Sequence, residues 1–325
     1  MSKSIRSEII KALADGQFIS GQALGEALGI SRAAVSKHVK HLTELGLDIF
    51  SVTGKGYKLS AAISLLNKVD IVKHLDADWL DTKVDVHFTI DSTNSYLLRR
   101  IPNQVKVGQV CIAESQQAGR GRRGRQWVSP FGSHIYMSMY WHLEQGMSAA
   151  MGLSMVTALA VSDAIHCLYN IDVELKWPND IYINGVKLAG ILIELEGQAM
   201  EPCHCIIGIG LNVKMPMDVA EDITQPWTDL QSHVKEPIDR NELVAVIINC
   251  LRNRLRQHAT EGMNAMLNDW HQRDVFMNKP VKLITGEKQT LGTCRGINSQ
   301  GALLLEQDGQ IKPIYGGEVS LRGVQ

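Results

Sequence analysis

The chain is poor in cysteine, proline and aromatic residues, and its charges nearly cancel. Its six cysteines, at 111, 167, 203, 205, 250 and 294, follow no spacing of a disulfide framework or a zinc site. A chain of 325 residues needs no such staple, so a reducing, cytoplasmic setting is expected. The N-terminus carries Glu8 and Asp15 early and lacks an apolar core, so no signal peptide is expected. Residues 146–162 are uncharged but include Ser148, Ser154 and Thr157. They are short for a bilayer span and read as a buried helix running on to Tyr169, with no membrane partner. A net charge of −1 excludes a polycation that coats nucleic acid with its whole surface.

The charge is unevenly spread. Residues 1–62 hold eight Lys and Arg against five Asp and Glu, whereas the rest holds 25 against 29. A basic front on an acidic body implies one module for an anionic partner and another for a different task. In the front, Ile5, Ile9, Ile10 and Leu13 recur at helical spacing, and a second helix opens at Ser20-Gly21 and breaks at Gly29. Ser31 caps a third. This is a helix-turn-helix whose last helix offers Ser31, Arg32, Ser36, Lys37, Lys40 and His41 to phosphates and base edges. Two short strands around Gly54-Lys55-Gly56 form a wing with Lys55 at its tip. The alternative is a three-helix protein-binding module with a solvated basic face.

In the body, Val84 to Ile90 alternates as a half-buried strand that ends in Asp91-Ser92-Thr93-Asn94, where a short helix opens. Residues 119–125 then carry four Arg and three Gly. They fit G-x-G-x-x-G, yet Pro130, Gly132 and a strand follow instead of a helix, and no Lys-Ser/Thr pair follows the glycines. Both dinucleotide and P-loop readings fail on that context. Guanidinium groups with glycine-exposed N–H groups suit a small anion, and like charges are expected to keep the empty loop disordered. Asn184-Gly185 marks a type I′ hairpin, and period-two alternation from that turn sets Asp180, Tyr182, Lys187 and Ala189 on one face. Gly190, Gly208 and Gly210 interrupt strands where a flat ligand needs room, and Asn212 follows them. Cys203 and Cys205 alternate with His204, which is poor geometry for a metal. Lys214 to Pro226 is irregular and polar, a candidate mobile loop ending at Trp227. From Pro280 short strands and glycine turns imply a small all-β unit.

The segments GRGRRGRQW, KWPNDIYINGVKLAGILIE, GIGLN and GALLLEQDGQIKPIYGGEVSLR together resemble a biotin–protein ligase. With the helix-turn-helix in front, the chain is similar to the bifunctional bacterial type that also represses the biotin operon. The resemblance implies an α+β multidomain fold: a winged helix-turn-helix (1–62), an α/β mixed-sheet ligase core (63–273) and an SH3-like β barrel (274–325). It implies ATP with Mg2+, biotin as substrate, and biotinyl-5′-AMP as intermediate and corepressor. It further implies the biotin carboxyl carrier protein of acetyl-CoA carboxylase, operator DNA, and a homodimer driven by the adenylate. By the same resemblance Ser92, Thr93, Asn94 and Gln116 bind the ureido head. Gly119, Arg120, Gly121 and Arg122 close over the carboxylate and phosphate. Lys187 contacts the carboxylate, and Asp180 orients or deprotonates the incoming lysine. Trp227 covers the adenine, and Arg125, Lys176, Asn179 and Asn212 stand near the nucleotide. No resident metal is expected. A lipoate–protein ligase and a non-enzymatic, biotin-sensing regulator are the alternatives.

Overall fold

The computed structural model describes residues 2–60, 63–101, 104–144, 150, 152–197, 202–216, 223, 225–315 and 319–323. Helices α1 (Ser2–Leu13), α2 (Gly21–Leu28) and α3 (Arg32–Glu44) precede a wing of β1 (Ile49–Val52) and β2 (Gly56–Leu59). The Oγ atoms of Ser20 and Ser31 accept from the N–H groups of Ala23 and Ala34, which fixes the starts of α2 and α3. Gly25 lets the turn close: a Cβ there would stand 2.6 Å from the Ile30 carbonyl. Ile9, Ile10, Leu13, Leu24, Val35, Val39 and Leu42 form the domain core, and Phe131 of the body packs into it.

The body adds α4 (Lys68–Lys73), β3 (Val84–His87), α5 (Thr93–Leu98), β4 (Val110–Ala113), β5 (Ile135–Leu143), α6 (Leu153–Tyr169), β6 (Glu174–Lys176), β7 (Asp180–Ile183), β8 (Val186–Glu196), β9 (Cys203–Leu211), α7 (Arg240–Glu261) and α8 (Leu267–Arg273). Its seven strands run in the order β3-β4-β5-β9-β8-β7-β6. Only β3–β4 is parallel. Ile135, Met137 and Met139 of β5 and Cys205, Ile207 and Ile209 of β9 face the main core, which α6 and α7 cover. The intervening residues, including Ser138, Gly208 and Gly210, face the other side, where the short α5 leaves room for a site. Cys203 and Cys205 are buried. Helix α6 starts at Leu153 rather than 146; residues 145–149 and 151 lie outside the described set, as do 217–222 and 224 of the loop before Trp227.

The last unit contains β10 (Pro280–Thr285), β11 (Lys288–Ile297), β12 (Leu303–Gln307), β13 (Gln310–Ile314) and β14 (Val319–Gly323), all antiparallel, in the order β13-β12-β11-β10-β14. Its apolar residues Val281, Leu283, Leu303, Leu305 and Leu321 join the main core rather than forming their own. Asp274 bridges Leu175, and Trp177 donates to the Gly301 carbonyl at 3.1 Å. The separation expected at 274 is therefore one of chain order, with no break in packing; the boundary at 62 falls on residues outside the described set.

A buried ion pair fixes the front of the body. Arg240 lies 2.8 Å from Glu114, with side-chain exposures of 5% and 3%. Arg240 also donates to the carbonyls of Ser64 and His134, and Glu114 accepts from the Leu66 N–H. The segment leading from the N-terminal domain is thereby tied to the sheet. Breaking one half of a buried pair strands the other charge. We expect Arg240→Met to cost about 3–5 kcal/mol in urea unfolding, and Glu114→Gln in the same chain to recover much of it. Equal stability of the single and double variants would show that the stranded charge is not the cause.

Candidate functional site

The cavity lies on the face of the sheet opposite α6. Its floor is stripped of side chains at two glycines so that the Trp127 indole can approach. A Cβ on Gly210 would stand 2.5 Å from that indole, and one on Gly190 would stand 2.9 Å from it. Gly208 similarly admits Asn94, whose Oδ1 would lie 2.4 Å from an added Cβ. The floor expected for a flat ligand is thus walled by Trp127 and Asn94. Trp127 was legible only as the last letter of GRGRRGRQW, because its contacts come from β8 and β9.

At one end of the cavity are Ser92, Thr93, Asn94 and Gln116. Ser92 Oγ caps α5 by accepting from Ser95 at 3.4 Å. Gln116 Oε1 accepts from the Thr93 N–H at 2.9 Å. Ser138, fully buried on β5, contacts Thr93 Oγ1 at 2.7 Å and donates to Asn94 Oδ1. The wall at this end carries no charged group of its own, although Glu194 stands behind Asn94 at 2.7 Å. The sequence gives no sign of Ser138 or Glu194, each of which is a polar residue flanked by apolar ones within a strand.

The other end is cationic. Asn184 and Gly185 have φ of 50° and 74°, as the predicted turn requires. The register then shifts between Ile181 and Tyr182, so Asp180 pairs with Gly190 and Ile181 with Ala189. This bulge corrects the predicted face: Ala189 turns into the core at 0% exposure and Gly190 takes its place. Asp180 and Lys187 remain together, their charged atoms 2.8 Å apart, and the Lys187 ammonium lies 5.6 Å from the Trp127 ring centroid. Arg122 donates to Asn179 Oδ1 at 3.0 Å, and Asn179 donates to the Ile191 carbonyl. Burial lowers the proton affinity of Arg122, with Asp180 acting against it. Burial likewise lowers that of Lys176, and Asp180 again opposes; Lys187, Arg322 and Arg125 add to the lowering. Among the described residues that line the cavity, Arg120, Arg122, Arg123, Arg125 and Lys187 outnumber the carboxylate of Asp180, which favours an anionic ligand.

The Arg/Gly loop forms a narrow return. Arg120 bridges Gln126, Gly121 N–H donates to the Arg125 carbonyl at 2.7 Å, and Trp127 N–H donates to Gly119 at 2.9 Å. Arg120 pairs with Glu194 at 2.9 Å. The repulsion expected among four guanidinium groups is therefore partly offset within the chain. Arg125, Gly121, Asn179 and Asp180 line the cavity, as do Ser320 and Leu321 of β14. Four other expected residues, Lys176, Asn212, Trp227 and Gly119, do not line it. Lys176 donates to the Tyr182 hydroxyl at 3.0 Å, and Asn212 donates to the Thr228 carbonyl at 3.0 Å. Trp227 bridges Lys187 through its backbone. Gly119 stands under the loop, where a Cβ would meet the Trp127 carbonyl at 2.5 Å.

On the N-terminal domain Ser31, Arg32, Ser36, Lys37 and Lys40 are all exposed along α3. Arg32 lies over Gly21, and Ser31 is occupied as the cap, which leaves Ser36, Lys37 and Lys40 the freer contacts. Lys55 is exposed at the wing tip, 5.9 Å from the Phe18 ring. His41, read as exposed, has a side chain 40% exposed and lines a crevice with Arg6 of α1 and with His87 and Gln117 of the body. This face presents exposed cationic and hydroxyl side chains of the kinds that contact phosphates and base edges.

The floor generates a test. We expect Gly210→Ala to push the Trp127 indole off the sheet and shift the tryptophan emission, by comparison with a Trp127→Phe background. Gly121→Ala, whose Cβ would meet nothing nearer than 3.6 Å, should leave the ligand-free emission unchanged. Equal spectra for both variants would deny the contact.

Three segments match known families: residues 6–58 match an HTH domain, 86–212 the biotin/lipoate A/B protein ligase family, and 276–322 the biotin protein ligase C-terminal domain. The bifunctional ligase/repressor BirA of Escherichia coli is 48% identical over 318 residues, covering 98% of this chain and 97% of that one. The protein of the same name from Bacillus subtilis is 32% identical over 324 residues, covering 99% and 100%. Among solved structures, the biotin protein ligase from Aquifex aeolicus in complex with biotin and ATP superposes with a TM-score of 0.64 at 28% identity, covering 74% of this chain and 99% of that one. With a walled cavity on a mixed sheet, a helix-turn-helix in front and full-length similarity of this degree, the chain belongs to the bifunctional ligase/repressor group of the biotin/lipoate protein ligase family.

Proposed function

We propose that the chain joins biotin to ATP, forming biotinyl-5′-AMP and pyrophosphate, and then passes the biotinyl group to a lysine of a biotin carboxyl carrier protein. The observation that carries this is the gradient along one cavity: hydrogen-bonding head, indole-and-glycine middle, cationic mouth. Biotin has the same order of parts, a ureido ring, an apolar chain and a carboxylate. Lipoate has no ureido N–H groups to engage Thr93, Asn94 and Gln116.

In the first step the biotin carboxylate oxygen attacks the α-phosphorus and pyrophosphate leaves. Both reactants are anions, so Arg122 and Lys187 lower their repulsion and stabilise the charge of the transition state. Arg125 faces the phosphates, Lys176 adds positive charge from behind the cavity wall, and Asn179 holds Arg122 in place. Gly119, Arg120 and Gly121 close the loop. Asn212 secures the 228–230 segment, and Trp227 at its start covers the adenine. In the second step the carrier lysine attacks the acyl carbonyl and AMP leaves; Asp180 accepts or directs the amine proton. Mg2+ enters with the nucleotide phosphates. Asp180 is engaged by Lys187, and the described residues hold no cluster of three or more His, Cys, Asp or Glu fit for a metal.

The same chain represses transcription through α3 and the wing, with biotinyl-5′-AMP as corepressor and a homodimer as the operator-binding form. Among the described residues no helix is long and apolar enough to cross a membrane. The direct experiment is pyrophosphate release on mixing the protein and MgATP with biotin, with lipoate or with neither. Release with biotin alone supports the assignment; release with lipoate alone, or with neither acid, overturns it.

Lys187→Ala is expected to slow adenylate formation by about 2.7–4 kcal/mol of barrier while urea unfolding changes little. An adenylation rate near wild type in the folded variant would remove Lys187 from the site.

Biotin plus ATP is also expected to tighten self-association and operator binding together, although the ligand touches neither α3 nor the wing. Linkage requires that operator DNA in turn tighten the dimer. Sedimentation with and without both substrates, followed by operator titration at fixed salt, checks this. A protein that stays monomeric, or binds operator equally well in both states, would leave a ligase with an uncoupled DNA-binding domain.

A further inference from the structure

Glu194 stands where the loop and the head-group end of the cavity meet. Both its carboxylate oxygens accept from Arg120 Nη2 at 2.9 Å, and Oε2 also accepts from Asn94 Nδ2 at 2.7 Å. Arg120 belongs to the loop, whereas Asn94 is buried at 4% exposure on the first turn of α5. One carboxylate therefore ties a glycine-rich loop to a fixed element of the pocket.

The contact also fixes hydrogen positions. An ionised carboxylate only accepts, so the Asn94 amide must turn its NH2 toward Glu194 and its oxygen away. That oxygen accepts from Ser138, whose single hydroxyl proton is thereby committed. Thr93 Oγ1 stands 2.7 Å from Ser138 Oγ and 3.2 Å from Gln116 Oε1, so its own proton is taken up by these protein oxygens. With its proton spent inward, the Thr93 hydroxyl offers only lone pairs to a ligand. The order of donation thus runs from Ser138 to Asn94 to Glu194, where Arg120 meets it from the other side. A head group that brings N–H donors fits this polarity; one that brings only acceptors meets lone pairs.

We infer that Glu194 is a positioning residue for the reaction proposed above. It latches the Arg/Gly loop through Arg120, and through Asn94 and Ser138 it sets the cavity head to accept from ligand N–H groups. It touches no reacting atom. The inference rests on the ligase reading for its ligand but not for the latch, which is a property of the chain alone.

The variant is Glu194→Gln, which keeps the shape and loses the acceptor-only character, with Glu194→Asp as the conservative rescue. Two measurements separate the claims. In the ligand-free protein, trypsin should cut the loop at its arginines about tenfold faster in Glu194→Gln than in wild type, equivalent to about 1.4 kcal/mol. The urea midpoint should stay the same, and Glu194→Asp should restore most of the protection. In the presence of substrates, Glu194→Gln should bind biotin about tenfold more weakly and release biotinyl-5′-AMP faster, with little change in the maximal rate of adenylation. Wild-type cleavage of the ligand-free variant overturns the latch, whatever the enzyme acts on. Unchanged biotin affinity in a chain whose loop is opened overturns the proton-setting role. A wild-type protein that forms no adenylate with biotin defeats the ligase reading, while the trypsin comparison still decides the latch.

Discussion

The site depends on the contact of the Trp127 indole with strands that carry no side chains beneath it. Gly190 and Gly210 stand on neighbouring strands in register, so their missing Cβ atoms open one shared space. The indole fills part of that space and becomes a wall, and it brings the end of the Arg/Gly loop down to the sheet. It also lies within cation–π range of Lys187. Packing, loop placement and charge placement at this point are therefore one arrangement, and a methyl group on either glycine would disturb all three.

Around that wall the chain gathers positive charge where the sheet offers little to neutralise it. The bulge in the β7–β8 hairpin brings Gly190 to the cavity and keeps Asp180 beside Lys187. A regular ladder would have put the Ala189 methyl where the indole now sits. Buried cations such as Arg122 and Lys176 lose hydration, and the falling proton affinity of each reports that cost. Phosphate and carboxylate oxygens would restore what hydration no longer supplies, so an anionic substrate pair is stabilised most where the two anions meet.

The two functions are joined mechanically by short segments. Residues 116–118 follow β4, and the N–H groups of Gln117 and Ala118 donate to the carbonyls of Ile90 and Asp91, just before the head-group residues. Gln117 also borders the crevice that holds Arg6 and His41 of the N-terminal domain. Phe131, four residues beyond Trp127, packs into the core of that domain. The Arg/Gly loop is thus anchored at both ends on segments that touch the N-terminal domain, while the Glu114–Arg240 pair keeps the linker fixed to the sheet. A change in the loop has a packed route toward α3.

Much of this was legible in the sequence because local rules decide it. Helical spacing, the Ser31 cap and the Asn184-Gly185 turn depend on neighbours along the chain, and each was read at its position. The density of arginine and glycine at 119–125 suggested an anion-binding loop for the same reason, and the ureido and nucleotide roles were proposed on the family likeness. The rest required the fold. Nothing in the alternation of 180–190 shows the bulge, because a register shift is settled by which residue the core accepts, and here it accepted Ala189. Nothing local marks Ser138 or Glu194, whose partners stand 44 and 74 or more positions away in the chain. The sequence determined which chemical groups were present and which segments were regular. Tertiary structure decided which groups meet, because hydrogen bonds and ion pairs act over about 3 Å of space, while their partners are set by strand order and register.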